Sequence, residues 1–353
     1  MLDIGPLRQA LNLQARACAA LGSPFCADLL DRVCEDLKGN EDLRRLFARW
    51  EGADARTLIR DAAPLRLLGA MHDLALSGEA AGLTAAFPAK GRKSDPTKAW
   101  ATSAAEIPRH GKRLAAFMEH EPQTNEVRRS ICLLGGFLTI ADETSLELRC
   151  FELGASAGLN QLWDRYRYDL GGAQWGPSEA PLRLSTDWRG RLPPLTARML
   201  VSERAACDHK PIDLANEVAR RRLRAFVWAD QFDRMERLNA AVGATLLAGV
   251  QAEGEDAVSW VAHRPQLTRG AATVLFHSVF WQYLSKKSQV ALTAAIHALG
   301  AQATRSAQFA WLRMEPPPSD MSKMHVRLTI WPGGQERLLA KAHPHGTWVE
   351  WLG

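Results

Sequence analysis

The stretch FELGASAGLN, residues 151–160, contains residue types from which two different active sites are built. Gly154, Ser156 and Gly158 fit the G-x-S-x-G turn that exposes the nucleophilic serine of α/β-hydrolases. Glu152, together with the two glycines, also fits a glycine-rich turn whose backbone approaches a bound nucleotide. Both sites need a strand before the motif and a helix after it, so the rest of the chain must decide between them.

A serine hydrolase also needs an acid and a histidine after its nucleophile. Asp230 or Asp256 can serve as the acid for Ser156. His277 or His345 can serve as the histidine, although ten histidines make such a combination easy to assemble. Hydrolases of this class have several strands before the nucleophile, whereas a long segment without strand-like runs precedes this motif. The position therefore favours a nucleotide site, because Rossmann-like folds carry a glycine loop after their first strand.

Glu152 stands at the end of a predicted buried strand. Because a buried carboxylate is costly unless it is paired, we expect Glu152 either to contact a ligand or to brace the loop. The dinucleotide motif G-x-G-x-x-G is not matched, since Ser156 takes its middle position. A dehydrogenase is therefore disfavoured.

The elements that position these residues change along the chain. Apolar residues such as Leu29, Val33 and Leu37 lie one helical turn apart, and the first hundred residues are predicted to be a helical domain, 1–100. Short apolar runs alternate with helical stretches afterwards, which predicts βαβ units and a parallel sheet. The predicted strands are LELRCF (146–151), ARMLV (197–201), ATVLF (272–276) and FAWLRM (309–314). The predicted helices between them include NEVARRRLRAFVW (216–228) and SKKSQVALTAAIHAL (285–299).

Four further segments shape the predicted fold. HVRLTIW (325–331) and TWVEWL (347–352) alternate without a helix between them, which predicts an antiparallel pair at one edge of the sheet. Residues 171–194 are rich in Gly, Pro and Trp and predict an inserted hairpin or lid beside the site, and residues 86–98 predict a linker or lid. The expected fold class is α/β: a Rossmann-like sheet over residues 101–353, mostly parallel with an antiparallel C-terminal edge pair, preceded by an α-helical domain.

Composition limits the class of protein. With 46% hydrophobic and 24% charged residues, the chain is expected to be globular. Six cysteines without C-x-x-C or zinc-like spacing predict reduced thiols in a cytoplasmic protein and no metal site. No signal peptide or membrane span is expected. Scattered basic residues favour a small-molecule substrate over nucleic acid, despite RRRLR (220–224) and a net charge of +5, and the oligomeric state stays open.

The order of motifs in the second part resembles that of class I S-adenosylmethionine-dependent methyltransferases, which implies that the α/β sheet of residues 101–353 is of the Rossmann-like methyltransferase type. The resemblance implies that Glu152 and the loop residues Gly154, Ser156 and Gly158 bind S-adenosylmethionine. ACDHKPIDL resembles the end of the second strand, where an acid holds the ribose, and this acid would be Asp208, with Asp213 as the alternative.

The same resemblance implies further cofactor contacts. GEDAVSW resembles the turn beside the adenine and implies a polar contact from Asp256. QTNEV is predicted to open a helix capped by Thr124 or Asn125, and Asn125 and Glu126 would lean over the cofactor. Asn160, just after the loop, could reach the methionine part of the ligand.

LFHSVFWQYL would form the fourth strand and the turn that faces the methyl acceptor. His277 could take a proton from the acceptor, and Glu315, at the end of the fifth strand, is the alternative base. Trp281, Gln282 and Tyr283 could stack on the acceptor and orient it, or Trp281 could be ordinary core. No Asn-Pro-Pro-Tyr motif follows this strand, which disfavours methylation of a base or amide nitrogen.

The whole chain also resembles a bacterial family catalogued as domain of unknown function 2332. The likeness is carried by LGSPF (21–25), RLLGAMHDLALSG (66–78), QTNEVRRS (123–130), ELGASAGLNQLWDRYRY (152–168), CDHKPIDL (207–214), VWADQFDR (227–234), FHSVFWQYL (276–284) and LRMEP (312–316). This resemblance implies a fold and no established reaction. We therefore expect an S-adenosylmethionine-dependent methyltransferase with a small or medium acceptor. The alternatives are a non-catalytic or differently reacting nucleotide-binding protein on the same fold, and a serine hydrolase using Ser156.

Overall fold

The computed structural model describes residues 3–123, 125–318, 320 and 322–353. Two compact units divide the chain. The first takes in Met1–Thr124 and Ala215–Glu236, and the second takes in Asn125–Leu214 and Arg237–Gly353. The domain boundary expected near residue 100 stays a prediction, and the helix Pro96–Met118 belongs to the first unit.

In chain order, the α-helices are α1 (Ile4–Ala20), α2 (Pro24–Asp36), α3 (Glu41–Leu46), α4 (Ala55–Arg60), α5 (Ala63–Ser77), α6 (Ala81–Ala86), α7 (Pro96–Met118), α8 (Arg129–Thr144), α9 (Glu217–Ala225), α10 (Phe232–Ala248), α11 (Ala257–His263) and α12 (Lys286–Ala301). Short 3-10 helices span Ala48–Trp50, Leu159–Arg165 and Trp281–Tyr283. Among the described helices, none combines the length and the apolar character that a membrane crossing requires.

The first unit is helical, as its apolar spacing predicts. Leu7 and Leu11 of α1 and Leu29 of α2 are fully or almost fully buried, because residues one turn apart share the inner face of a helix. The first unit also contains the later segment Ala215–Glu236. Asp230 holds this segment in place by accepting hydrogen bonds from the Ser23 hydroxyl and from the N–H of Phe25. Asp230 therefore has a structural role here, and it does not serve as the acid of a serine triad.

In chain order, the strands are β1 (Glu147–Leu153), β2 (Arg167–Leu170), β3 (Ala173–Trp175), β4 (Arg183–Arg189), β5 (Val201–Asp208), β6 (Glu253–Gly254), β7 (Ala271–Ser278), β8 (Ala307–Glu315), β9 (Met324–Trp331), β10 (Glu336–Ala342) and β11 (Trp348–Trp351). They form a mixed sheet in the order β3-β2-β4-β11-β10-β9-β8-β7-β1-β5-β6.

The strands β6, β5, β1, β7 and β8 are parallel neighbours. Numbered along the chain, these parallel strands have the order 3-2-1-4-5, which is the order of a Rossmann-like sheet. The mostly parallel α/β fold expected from the sequence is confirmed. The order reverses between β1 and β7, and open α/β sheets bind ligands at the carboxyl ends of the strands beside such a point.

The other half of the sheet differs in detail from the predicted edge pair. The two predicted strands, β9 and β11, do not pair with each other: each is antiparallel to β10, which lies between them, and β11 also pairs in parallel with β4. The segment 171–194 contains β3 and β4, so it contributes strands to this sheet. The second predicted strand also begins later, at Val201, and Leu200 before it is 57% exposed.

Candidate functional site

The glycine loop follows β1 and is held in the left-handed backbone region at three positions. The φ angles are 64° at Gly154, 53° at Ser156 and 71° at Gly158. Glycine adopts this conformation readily, whereas a serine does so only when its surroundings hold it there. The loop then enters the 3-10 helix Leu159–Arg165 instead of the expected regular helix. The α-helix N-terminus that binds a pyrophosphate after such loops is therefore missing at this position.

Asn125 and Asp208 fix the loop from outside. Asn125 Nδ2 donates to Ser156 Oγ (2.7 Å), and Asn125 Oδ1 accepts from the N–H of Ala157 (3.1 Å). Asp208 Oδ2 accepts from the N–H of Ser156 (2.8 Å), and Asp208 Oδ1 accepts from the N–H of Lys210 (2.8 Å). The structure thus brings three predicted cofactor residues together, because the carboxyl ends of adjacent parallel strands meet at one edge.

The components of a serine triad do not assemble around Ser156. Its hydroxyl accepts a hydrogen bond from Asn125, where a hydrolase would need a histidine. Among the considered partners, Asp256 caps α11 and His277 pairs with Glu315. The hydroxyl of Ser156 therefore has a structural hydrogen bond to Asn125, and Asp256 and His277 are engaged elsewhere.

Glu152 is buried (3% exposed) at the end of β1. Burial raises the pKa of Glu152 to about 8, Gln161 lowers it by donating a hydrogen bond (3.2 Å to Oε2), and the charge of Asp208 raises it. Glu152 therefore carries a proton at neutral pH. Sequence reasoning missed Gln161, which is fully buried and whose Oε1 has no hydrogen-bond partner. The signal was a polar residue in an apolar helical stretch, LNQLW.

Two other residues predicted to bind the cofactor, Glu126 and Asn160, form hydrogen bonds with residues near the start of α8. Buried Glu126 accepts through Oε1 from the N–H of Arg128 (3.2 Å), and Asn160 Oδ1 accepts from the hydroxyl of Ser130 (2.7 Å). α8 begins only at Arg129, so Asn125 does not cap it, and the other predicted cap, Thr124, lies outside the described residues. The helix start was predicted too early: Asn125 and Glu126 have a composition typical of caps, but they precede the first helical residue, Arg129.

The structure separates the two acids proposed for the ribose. Asp208 ends β5 and its carboxylate accepts a hydrogen bond from the glycine loop. Asp213 is exposed, on a following segment that meets the loop through the N–H of Ile212, which donates to Ser156 O (3.1 Å). Asp256, proposed for the adenine, is exposed and caps α11, where Oδ1 accepts from the N–H groups of Val258 (2.9 Å) and Ser259 (3.3 Å). Asp208 is therefore the better placed of the two ribose candidates.

His277 and Glu315 form a buried pair on the other face of the sheet. Glu152 is opposite Phe276 in the strand register, so the next residue, His277, points away from the side of Glu152. His277 Nδ1 is 2.7 Å from Glu315 Oε1, and the indole N–H of Trp311 donates to His277 Nε2 (3.0 Å). Since an indole can only donate, Nε2 is the acceptor and Nδ1 carries the proton. Both ring nitrogens are engaged, which argues against His277 as the predicted base.

Glu315 holds the turn after β7. Its Oε1 accepts from His277 and also from the N–H groups of Phe280 (2.9 Å) and Trp281 (3.2 Å). Val279 has a φ of 52°, an uncommon angle for a β-branched residue. A Cβ added at Gly154 would overlap the ring of Phe280, so this glycine lets the turn pack on the loop after β1.

The three predicted acceptor-binding residues follow this turn. The ring of Trp281 stacks on His277 (centroids 5.6 Å apart, planes at 18°) and belongs partly to the core. Gln282 is exposed, and the side chain of Tyr283 is 75% exposed. Gln282 and Tyr283 are therefore exposed to solvent, whereas the ring of Trp281 packs on His277.

The six cysteines are free and buried. Burial raises the pKa of Cys150 to about 12 and that of Cys132 to about 12, so these thiols are poor nucleophiles at neutral pH. Among the described residues, no group of three or more His, Cys, Asp or Glu side chains is arranged to hold a metal ion.

Comparisons with known proteins give one family match. Residues 8–351 match the family model described as "Uncharacterized protein conserved in bacteria (DUF2332)". Curated proteins give no match. Among solved structures, a chain titled "DhpI-SAM-HEP complex" matches with 10% sequence identity and a TM-score of 0.22, over 61% of this chain and 81% of that chain. A similarity at this level supports no functional conclusion.

Proposed function

We propose that this chain, which belongs to the bacterial family DUF2332, binds S-adenosylmethionine at the carboxyl edge of β1, β5 and β6 and transfers its methyl group to a small or medium acceptor. The observation that carries the proposal is a set of acids at the ends of neighbouring parallel strands. Glu152 lies at the end of β1, Asp208 ends β5, and Asp256 follows β6. The glycine loop lies beside the first two, next to the point where the strand order reverses.

The charges at this edge favour a cationic nucleoside over a phosphorylated one. Phosphates are usually bound by free N–H groups at an α-helix N-terminus. Here the loop enters a 3-10 helix, and the N–H of Ser156 already donates to Asp208. Carboxylates suit hydroxyl and ammonium donors instead. S-adenosylmethionine presents ribose hydroxyls, an ammonium group and a sulfonium, and it carries no phosphate.

Asp208 is the residue that we expect to hold the ribose. Each of its oxygens accepts one backbone N–H, and a carboxylate oxygen can accept a second hydrogen bond. The two amides hold the carboxylate in place before the ligand arrives, so little side-chain entropy is lost on binding.

Glu152 adds a group whose charge can respond to the ligand. Its raised pKa of about 8 keeps it protonated at neutral pH, so it can donate a hydrogen bond to the ligand. A positive charge close by would favour its ionised form instead. Either state suits a nucleoside that combines neutral acceptors with a sulfonium.

When bound, S-adenosylmethionine would supply a methyl group activated by the positively charged sulfur. The part of this chain is to hold the acceptor in line and to exclude water. We assign orientation of the acceptor to Gln282 and Tyr283, which follow the turn after β7. We assign proton acceptance to Glu315, whose Oε2 is unpartnered, because both nitrogens of His277 are engaged.

The alternative, nucleotide binding without methyl transfer, is favoured by the engagement of His277. A histidine locked between Trp311 and Glu315 stabilises the turn and cannot take a proton without breaking a buried hydrogen bond. Methyl transfer that needs no base is compatible with the same geometry.

Calorimetry separates these possibilities from other nucleotide functions. S-adenosylmethionine and S-adenosylhomocysteine should bind saturably to the full chain, whereas ATP and NAD should not, because their phosphates meet acids. Stronger binding of ATP or NAD would contradict the proposal. Transfer of a labelled methyl group to a component of a cell extract would then distinguish the enzyme from a binding protein.

A further inference from the structure

The carboxylate of Glu315 is hydrogen-bonded on one side only. Oε1 accepts from three donors: the ring of His277 and the N–H groups of Phe280 and Trp281. Oε2 is buried and has no hydrogen-bond partner. The whole side chain is 13% exposed, so the carboxylate lies just beneath the surface at the end of β8. One oxygen of the Glu315 carboxylate is therefore held by three donors, and the other, which is buried, has no hydrogen-bond partner.

Arg313 lies two residues before Glu315 on the same face of β8 and interacts with it through charge, but it does not donate to Oε2. The guanidinium of Arg313 lies over the ring of Trp311, 3.9 Å from its centroid. Its Nη2 donates to Glu336, and its Nη1 has no partner, so Arg313 makes no hydrogen bond to Glu315. A buried charged group without its full set of partners is costly, and such exceptions need an explanation. The missing partner of Oε2 is a hydrogen-bond donor.

The surroundings of Glu315 favour a donor that is a nitrogen cation. Trp281 stacks on the histidine that binds Glu315, and the 75% exposed ring of Tyr283 follows it in the same turn. Carboxylates and aromatic rings together attract ammonium groups, the first by charge and hydrogen bonding and the second by cation–π attraction. The strained angle at Val279 helps to hold the two backbone amides of this turn on Oε1, which leaves Oε2 for a ligand.

We infer that Glu315 Oε2 binds an amino or ammonium group, and that the acceptor of this site is an amine with an apolar or aromatic body. The inference rests on the proposed function for the ligand's role as methyl acceptor, and it adds the chemical class. Glu315 touches the amine directly. An ammonium group bound there gives one proton to Glu315 Oε2, and the nitrogen lone pair that this frees forms the new bond to the methyl carbon as the methyl–sulfur bond breaks. His277 is a positioning residue, because it acts on the amine only through the carboxylate.

Binding of a matched set of probes to the full chain tests the inference. Benzylammonium, benzyl alcohol and benzoate have nearly the same shape and differ in charge. Calorimetry or saturation-transfer NMR should give saturable binding of benzylammonium at least about tenfold tighter than benzyl alcohol, since a hydrogen bond to a charged group is worth about one to two powers of ten in affinity. The chain carries a net charge of +5, so non-specific attraction would favour benzoate.

Two substitutions locate the binding. Glu315→Gln should weaken benzylammonium at least about tenfold and leave benzyl alcohol unchanged. Glu350→Gln, which removes the same charge from a 45% exposed carboxylate that faces Lys341, should leave both unchanged. Equal affinities of the amine and the alcohol for the wild-type chain would overturn the inference, even if Glu315→Gln did not fold. Failure of S-adenosylhomocysteine to bind would instead remove the proposed function and leave the amine site standing.

Discussion

Glu152→Gln should make the protein more stable at neutral pH and should remove much of its pH dependence. The substitution keeps the shape of the side chain and an oxygen that can accept from Gln161, but it removes the ionisable group. Burial raises the pKa of Glu152 from its usual 4.5 to about 8 in the folded protein. The folded state therefore prefers the protonated form over a pH range in which the unfolded chain prefers the ionised form.

The sign and size follow from this difference. A raised pKa costs no stability at a pH below the unfolded value, and the cost grows as the pH rises towards the folded value. With about 1.4 kcal/mol for each pKa unit, wild type should lose about 2–3 kcal/mol of unfolding free energy through Glu152 between pH 5 and pH 7. The loss should level off above about pH 8, where the folded state also ionises.

Urea unfolding of the wild type and of Glu152→Gln at several pH values between 5 and 9 measures this difference. The gap between the two free energies of unfolding should widen with pH in favour of the variant. Glu350→Gln, at an exposed position, should run parallel to the wild type. If the curves of the wild type and Glu152→Gln stayed parallel, Glu152 would ionise like an exposed carboxylate and the reasoning would be refuted.

Three further outcomes are expected. Ser156→Ala should bind S-adenosylhomocysteine within about threefold of wild type, because the backbone of Ser156 forms the loop, and a fluorophosphonate should not label the wild-type serine. Gly154→Ala should cost more unfolding free energy than Gly270→Ala, by about 1–3 kcal/mol in urea titrations, because both have positive φ but only the first meets an aromatic ring. Trp311→Phe should lower the free energy of unfolding by about 1–3 kcal/mol more than the control Trp188→Phe, which removes the same side-chain volume. Only Trp311→Phe leaves a buried histidine nitrogen without its hydrogen-bond donor. Equal costs within either pair of substitutions would contradict the corresponding contact.

The parallel part of the fold could be predicted because its strands are buried on both faces. ATVLF and FAWLRM are continuous apolar runs, and β7 and β8 contain them. β10 was missed because a bulge between Leu338 and Ala340 breaks its alternation. β4 was missed because its alternate residues are exposed, so RLSTDWR has the composition of a surface loop.

The edge proposed for the cofactor was more predictable than the side proposed for the acceptor. Glu152, the loop and Asp208 stand at or beside the carboxyl ends of adjacent strands, and topology alone brings such ends together. The engagement of His277 by Trp311 could not be predicted, because it depends on the register of β7 against β8 and on two rotamers. Asn125, distant in sequence from the loop, meets it only after the segment before α8 has folded back.

Titration of S-adenosylhomocysteine into the wild type, Asp208→Ala and Asp213→Ala tests the central claim most directly. The carboxylate of Asp208 is hydrogen-bonded to the glycine loop, whereas Asp213 is an exposed residue of the segment that follows β5. The wild type should bind saturably, Asp208→Ala should bind at least about tenfold more weakly, and Asp213→Ala should bind like the wild type. No binding to the wild type at millimolar ligand, or equal binding to the wild type and Asp208→Ala, would contradict a nucleoside site at this edge of the sheet.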